Sequence, residues 1–223
     1  MIRQQARNLA ALALLLVACT GCPVPQRREV PAPVLYLTEP QTDRHYFLYI
    51  PSTYRPDRTW PLVITCHGTP PWDTARRQIE EWKYLSEVRG FITAAPELVG
   101  TRGDVLISPD QQIARQMEDE QAILAIIRHI RGSRNIAEDR IFLTGWSAGS
   151  YAVLHTGLRH PEIFRALAIR QGNFDPRFLR EAEPYMDPHQ PIFVIYGSLD
   201  LLRDQALQCV RWLRDHGTWV KAD

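Results

Sequence analysis

The chain has 223 residues, of which 45% are hydrophobic and 23% charged, and its formal net charge is +1. This length and apolar content suit one globular domain with its own core, and the small net charge gives no electrostatic reason to expect a nucleic-acid partner. The seven histidines are scattered without the spacing of metal ligands, so the sequence predicts neither a metal nor another cofactor.

Residues 1–18 have the form of a secretory signal peptide. Arg3 and Arg7 precede an apolar run over 9–18 that contains no acidic residue and is too short to span a membrane. The run ends in Leu16-Val17-Ala18-Cys19, which resembles the lipobox of bacterial lipoproteins. The resemblance implies that Cys19 is lipidated, with Cys22 as a weaker alternative.

A lipid on Cys19 would anchor the exported protein to a membrane of the bacterial cell envelope. The residue after the cysteine is Thr20 and not an aspartate, and by the same resemblance this favours the outer membrane. Ordinary secretion, which would leave the protein in the periplasm, is the alternative. The proline-rich and polar range 19–40 is predicted to be a linker, and the folded domain is predicted over 41–223.

Within that domain, apolar runs typical of strands alternate with segments that have helical periodicity. Strands are predicted at 45–50, 62–66, 91–95, 141–144, 166–169 and 192–196, with a further strand beginning at 218; helices are predicted at 74–88, 111–130, 150–159 and 204–215. This alternation predicts an α/β fold, in which a mostly parallel sheet is flanked by helices on both faces. Ligands bind such sheets at the carboxyl ends of the strands.

The pentapeptide Gly145-Trp146-Ser147-Ala148-Gly149 stands between a predicted strand and a predicted helix. That context turns the common pattern G-x-S-x-G into a nucleophile elbow, in which the serine projects from a sharp turn. The flanking glycines relieve crowding in the turn, and the amides that begin the helix face the space where negative charge would develop. Ser147 is therefore predicted to be a catalytic nucleophile.

Two cysteines lie in the folded part. Cys66 falls in a predicted strand and Cys209 in a predicted helix. We expect buried free thiols, and a disulfide between them in an oxidising compartment is the alternative.

Four segments make the chain resemble an α/β-hydrolase, of the secreted esterase group that includes poly(3-hydroxybutyrate) depolymerase-like and feruloyl esterase-like proteins. The segments are Leu48-Tyr49-Ile50-Pro51 ahead of Trp60-Pro61-Leu62-Val63, His67-Gly68, Gly145 to Gly149, and Arg159-His160-Pro161-Glu162-Ile163-Phe164. The resemblance implies that Ser147 is the nucleophile and that the backbone N–H groups of Thr69 and Ala148 form the oxyanion hole. It places the acid of the triad at Asp200.

Asp204 is an alternative acid, although its position inside a helical pattern favours a solvated surface charge. Trp72 and Trp146 flank the predicted site and are candidates for substrate contact, with packing at the strand ends as the alternative. No cofactor is implied, and the substrate would be a small-molecule or polymeric ester.

The chain departs from this family at the catalytic histidine, which should follow the acid. Only His216 follows Asp200, and it stands in the last turn of a predicted helix before a glycine, where it would complement the helix dipole. By the resemblance His67 shapes the oxyanion turn and His160 has a structural role, while His155 should point away from the hydroxyl. We expect that the last strand and the loop after it are incomplete and that the chain is a truncated copy; a domain that has lost its base is the alternative.

The sequence therefore predicts a serine carboxylesterase-like hydrolase that is weak or inactive as this chain stands. A serine peptidase of the prolyl oligopeptidase type is an alternative, although Ser150 stands where that type commonly has a second glycine. A non-catalytic binding domain anchored in the envelope is the alternative from another functional class.

Overall fold

The computed structural model describes residues 30–103 and 107–223, so the predicted signal peptide, Cys19 and the linker up to residue 29 lie outside it. Within these ranges, eight strands form one sheet and four α-helices pack on it. The strands are β1 (Val34–Glu39), β2 (Arg44–Tyr49), β3 (Trp60–Cys66), β4 (Ile92–Pro96), β5 (Ile136–Trp146), β6 (Ala166–Arg170), β7 (Ile192–Ile195) and β8 (Val220–Ala222). The helices are α1 (Ala75–Arg89), α2 (Pro109–Arg131), α3 (Gly149–Arg159) and α4 (Arg203–Asp215), and short 3-10 helices occupy Pro176–Phe178 and Glu183–Tyr185.

The sheet has the strand order β1-β2-β4-β3-β5-β6-β7-β8. Strand β2 runs antiparallel to β1 and β4, and every other neighbouring pair is parallel. This confirms the predicted α/β fold with a mostly parallel sheet. The register pairs Cys66 with Gly145, so β3 and β5 end side by side and the loops that follow them are neighbours.

The sheet begins earlier than the sequence indicated. Strand β1 covers Val34–Glu39, inside the range 19–40 that was predicted to be a linker. All six of its residues pair with β2, and the partly buried Leu35 and Leu37 pack on the core. The boundary of the folded domain therefore lies before residue 34, because the main chain of this segment pairs with β2 and its apolar side chains pack on the core.

Local signals fix the ends of the first two helices. The Thr74 hydroxyl accepts the Arg77 N–H at 3.2 Å and starts α1, which ends at Gly90 with a left-handed φ of 74°. Helix α2 starts with a capping box, in which the side chains of Ser108 and Gln111 accept each other's backbone N–H. Both helices agree with the predicted ranges to within two residues.

Two hydrophobic clusters hold the layers together. The smaller one joins Ala75 and Ile79 of α1 to the sheet through Tyr49 and Ala95. The larger one contains the apolar stripes of α2, α3 and α4 together with the buried faces of the strands; its helical members are Ile123, Ile126, Ile127, Ile130, Ala152, Val153, Leu154, Leu158, Ala206, Cys209, Val210 and Leu213. Cys66 and Cys209 are buried free thiols. Across 30–103 and 107–223, no helix combines the length and the apolar character needed to cross a bilayer.

A charged cluster ties α2 to α3. The Glu120 carboxylate on α2 accepts hydrogen bonds from Arg159 Nε at 2.9 Å and from His160 Nε2 at 2.8 Å. The Nε2 atom of the fully buried His155 lies 3.0 Å from the same carboxylate. Burial opposes the charge on Glu120, yet its basic partners prevail and lower its pKa to about 2. The hydrogen bond to Glu120 raises the pKa of His160, against the effect of burial.

These opposite shifts predict a pH optimum for the free energy of unfolding. Glu120 stabilises the fold above its unfolded pKa of about 4.3, and this contribution is lost as pH falls toward about 2. His160 stabilises the fold below its unfolded pKa of about 6.5, and its contribution is lost as pH rises through the raised folded value.

We expect Glu120→Gln to lower the free energy of unfolding by about 2 kcal/mol at pH 5.5, because it weakens charge-assisted hydrogen bonds. Urea denaturation at several pH values measures the difference between this variant and the wild type. That difference should shrink toward pH 3 and toward pH 8, and a difference independent of pH would contradict the assignment.

Candidate active site

The turn between β5 and α3 holds Ser147 in an unusual backbone conformation. Its φ is 52°, in the left-handed region that non-glycine residues rarely adopt, and such strain concentrates at functional sites. The Ser147 N–H donates to the carbonyl of Arg170 on β6 at 3.1 Å. The strand, the sharp turn and the helix predicted around Ser147 are all present.

The Ser147 hydroxyl is directed at the loop that follows β6. Its Oγ donates to Oδ1 of Asn173 at 3.3 Å, and the Asn173 N–H donates to the Ser147 carbonyl at 3.1 Å. The Ser150 hydroxyl donates a hydrogen bond to the Asn173 carbonyl, and Asn173 Nδ2 donates to Oε1 of Gln205 on α4 at 3.4 Å. Asn173 thus positions the hydroxyl, but a neutral amide cannot remove its proton.

The loop after β3 is built around a neutral histidine. The buried His67 accepts the Leu98 N–H on Nε2 at 2.9 Å, which leaves Nδ1–H to donate to the Gly68 carbonyl at 2.7 Å. Burial lowers the pKa of His67, in agreement with this neutral form. Both ring nitrogens are occupied within the loop, so His67 shapes the turn and is not available as a base.

Thr69 and Ala148 line one cavity of about 320 Å³ beside the elbow. Tyr151 and Phe178 form an edge-to-face aromatic pair in its wall, with ring centroids 5.3 Å apart. The other lining residues are Gly100, Gly103, Ile107, Gln112, Asn173 and Arg177. In the described part of the chain, neither the Thr69 N–H nor the Ala148 N–H donates to another protein group. Both amides therefore remain available to a ligand.

Asp200 lies in the loop between β7 and α4. Its Oδ1 accepts the Leu202 N–H at 2.9 Å, whereas its Oδ2 is buried and has no hydrogen-bond partner among the described residues. A buried carboxylate oxygen normally has a donor, so this atom is open to one. Asp204, the alternative acid, has a side chain that is 88% exposed and lies on the surface.

The seven histidines all fall within the described ranges, and no hydrogen bond joins any of them to Ser147 or Asp200. Nδ1 of His216 donates to the Trp212 carbonyl at 2.7 Å, and its ring stacks on Trp212 at 4.2 Å. His155 and His160 belong to the Glu120 cluster. Nor do the described residues contain a group of three or more His, Cys, Asp or Glu that could hold a metal ion.

The two tryptophans proposed as substrate contacts lie outside the lining of this cavity. Trp72 is 70% exposed in the loop after β3. Trp146 donates from Nε1 to Gln171 Oε1 at 2.7 Å, and a side chain at Gly68 would approach its ring to 3.0 Å. These contacts give Trp146 a packing role between the two loops.

Sequence reasoning assigned no role to the aromatic wall or to Asn173. Tyr151 stands four residues after Ser147, one helical turn along α3, so its spacing could have placed it near the nucleophile. Asn173 follows β6 at the carboxyl edge of the sheet, where ligands bind. Phe178 reaches the cavity from a 3-10 helix that no periodicity predicts.

Solved structures with the same fold include peptidases and esterases. Porphyromonas gingivalis dipeptidyl peptidase 4 aligns with a TM-score of 0.62 and 14% identity over 88% of this chain and 32% of its own. A ferulic acid esterase from Anaeromyces mucronatus aligns with a TM-score of 0.61 and 14% identity over 91% of this chain and 87% of its own. S-formylglutathione hydrolase from Staphylococcus aureus aligns with a TM-score of 0.63 and 14% identity over 90% of this chain and 90% of its own.

The share of each relative that the chain covers varies widely. The chain spans 32% of a dipeptidyl aminopeptidase IV from Bacteroides ovatus and 54% of a thermostable esterase. At 16% and 22% identity, these likenesses show the α/β-hydrolase fold alone. No curated protein matches the chain.

The sequence itself matches the model of the prolyl oligopeptidase family over residues 80–193. The matched region includes the elbow, the helix after it and the loop that carries Asn173. The esterase group favoured by the sequence motifs is a finer assignment within the same fold, and it stays a prediction. The family model matches just over half of the residues of this chain. The chain therefore belongs to the prolyl oligopeptidase family.

Proposed function

We propose that the chain is a serine hydrolase domain that cleaves carboxylic esters through Ser147. The observation that carries the proposal is the left-handed turn at Ser147 beside a cavity that Thr69 and Ala148 both line. The strained turn presents the hydroxyl, and the two unpaired amides supply donors for a developing oxyanion.

The proposed reaction forms a bond between Ser147 Oγ and the carbonyl carbon, and the serine proton passes to solvent water, since no histidine reaches Ser147. The tetrahedral intermediate places its negative oxygen against the amides of Thr69 and Ala148. Its collapse breaks the ester bond, expels the alkoxide, which takes a proton from water, and leaves an acyl group on Ser147. Water then attacks this acyl-enzyme, releases the acid and restores the hydroxyl.

No described residue of the chain is placed to accept the proton of Ser147 as a base. Asp200 Oδ2 is buried and open to a donor, which fits an acid that orients an imidazole. Since no histidine reaches Ser147, we expect the 223-residue chain to hydrolyse esters slowly. Loss of one triad member removes most of the rate, and a residual rate of about 10³-fold over water comes from the oxyanion hole and binding.

Esters suit this site better than peptides for a chemical reason. An alkoxide or phenolate can leave without a proton, whereas the nitrogen of an amide must be protonated by the histidine that is missing here. The match to the prolyl oligopeptidase family favours peptide cleavage as the second candidate. Hydrolysis of a p-nitrophenyl ester and of the p-nitroanilide with the same acyl group separates the two.

Labelling with a fluorophosphonate tests the proposal directly, because the probe reacts with an activated serine and stays attached. Because no histidine reaches Ser147, we expect slow labelling that mass spectrometry locates on Ser147 after prolonged incubation, and Ser147→Ala to abolish it. Ser133→Ala, which changes an exposed serine at the end of α2, should leave labelling unchanged. A folded chain that takes no label would overturn the hydrolase proposal and support a non-catalytic binding domain.

A further inference from the structure

The turn between β3 and α1 contains a buried carboxylate that the reaction above does not use. Asp73 is 3% exposed. Its Oδ2 accepts the Gly68 N–H at 2.6 Å and the Gln78 side-chain N–H at 2.9 Å, and its own N–H donates to the Thr69 carbonyl at 3.1 Å. A single residue therefore holds the peptide groups on both sides of the Gly68–Thr69 peptide.

The Gly68–Thr69 peptide itself is held by its carbonyl, which accepts His67 Nδ1–H at 2.7 Å. The N–H of a trans peptide points away from its carbonyl, so this bond and the two from Asp73 fix the direction of the Thr69 N–H. That N–H donates to no other group in the described ranges. The polar groups of the turn together orient the unpaired Thr69 N–H.

Asp73 is in turn held by a network that reaches across the sheet. Gln78 Oε1 accepts the Thr65 hydroxyl at 2.7 Å and Arg170 Nη2 at 2.6 Å, so the amide group of Gln78 must face Asp73 with its N–H₂. Arg170 also donates to Glu81 Oε1 at 2.7 Å and to Thr144 Oγ1 at 3.2 Å. Residues of β3, β5, β6 and α1 together set the position of the carboxylate.

We propose that Asp73 is a positioning residue that aims the Thr69 N–H as an oxyanion donor, with Gln78 and Arg170 holding its carboxylate in place. This inference rests on the proposed hydrolase function. It predicts that Asp73 acts on the rate of attack by Ser147 and not on the affinity for a substrate.

The experiment compares fluorophosphonate labelling of the wild type, Asp73→Ala, Asp73→Asn and the exposed control Asp57→Ala. We expect Asp73→Ala to lower the saturating rate about 10-fold to 100-fold, less than complete removal of an oxyanion donor, with little change in the half-saturating probe concentration. Asp73→Asn keeps an oxygen that can accept both N–H groups, so it should stay within about threefold of the wild type. Asp57→Ala should change neither value.

Several results would overturn the proposal. They are labelling of Asp73→Ala at the wild-type rate, a rise in the half-saturating concentration at an unchanged saturating rate, or an equal loss in the Ala and Asn variants. If Asp73→Ala does not fold, Gln78→Ala replaces it. That variant should slow labelling about fivefold, the effect of losing one hydrogen bond, and an unchanged rate would again overturn the proposal.

Amide hydrogen exchange separates this inference from the hydrolase proposal. If the wild type takes no label, the hydrolase proposal fails, but exchange of the Gly68 N–H, which donates to Asp73, still reports on positioning. It should be slow in the wild type and in Asp73→Asn and faster in Asp73→Ala. Equal exchange in all three proteins would refute the positioning role itself.

Discussion

Gly149→Ala is expected to destabilise the domain by about 3 kcal/mol or more, the upper range for overpacking a rigid site. A Cβ at Gly149 would overlap the main-chain carbonyl of Cys66 and would lie 2.8 Å from that of His67. Both groups belong to the end of β3, and backbone atoms there cannot move without breaking the sheet. Guanidinium denaturation monitored by circular dichroism measures the loss.

Gly132→Ala is the matched control. Gly132 ends α2 with φ −65°, which alanine adopts freely, and a Cβ there would lie 3.4 Å from the His129 carbonyl. We expect a change below about 1 kcal/mol, since alanine also restricts the unfolded chain. Equal midpoints for Gly149→Ala and the wild type would show that the elbow does not need close contact between α3 and β3.

The second large effect is expected from Asp119→Ala. The buried Asp119 carboxylate accepts the Val99 N–H at 2.9 Å, the Gly100 N–H at 2.8 Å and Arg44 Nη1 at 3.2 Å. Burial raises its pKa to about 6, although these donors favour the charged form. Alanine would leave the Val99 and Gly100 N–H groups unpaired at about 1 kcal/mol or more each, whereas Arg44 Nη1 still donates to the Glu97 carbonyl at 2.9 Å. We expect a loss of about 2 to 3 kcal/mol.

Glu118→Ala, one residue earlier on the exposed side of α2, should change the free energy of unfolding by less than about 0.5 kcal/mol. Urea denaturation at pH 7.5 compares the two variants. Because Asp119 holds Gly100, a cavity-lining residue, its loss should also slow fluorophosphonate labelling of Ser147. A small loss of stability with normal labelling would argue against this account of the loop.

Periodicity and turn signals were sufficient to predict the parallel core of the sheet and the four helices. Strands β3, β4, β6 and β7 and the second half of β5 are short, mostly apolar runs, and each lies next to a helix with buried apolar residues. Strand β5 begins at Ile136, five residues before the predicted strand, and its first half was missed because it contains the exposed Glu138, Asp139 and Arg140. Strand β1 was missed because Val34–Glu39 follows a proline-rich stretch and is only partly buried. Its pairing with β2 depends on tertiary contacts that local patterns do not contain.

The residues of the candidate site were predictable where a motif or the family resemblance names them, and they were missed where an aspartate acts by holding main-chain N–H groups. The motif G-x-S-x-G predicts Ser147 as the nucleophile, and the family resemblance implies the oxyanion roles of Ala148 and Thr69. The roles of Asp73 and Asp119 depend on backbone N–H groups brought to them by folding. An isolated aspartate in a loop or a helix gives no sequence signal of such partners, so these residues could only be recognised in the structure.

The walls of the cavity beside Ser147 come from separate connections of the sheet. Thr69 follows β3, Gly100 and Gly103 follow β4, and Phe178 follows β6. Each connection can change in length or composition without disturbing the buried strands that carry it. The shape and polarity of the cavity can therefore evolve one wall at a time, while the elbow and the turn that faces it stay fixed.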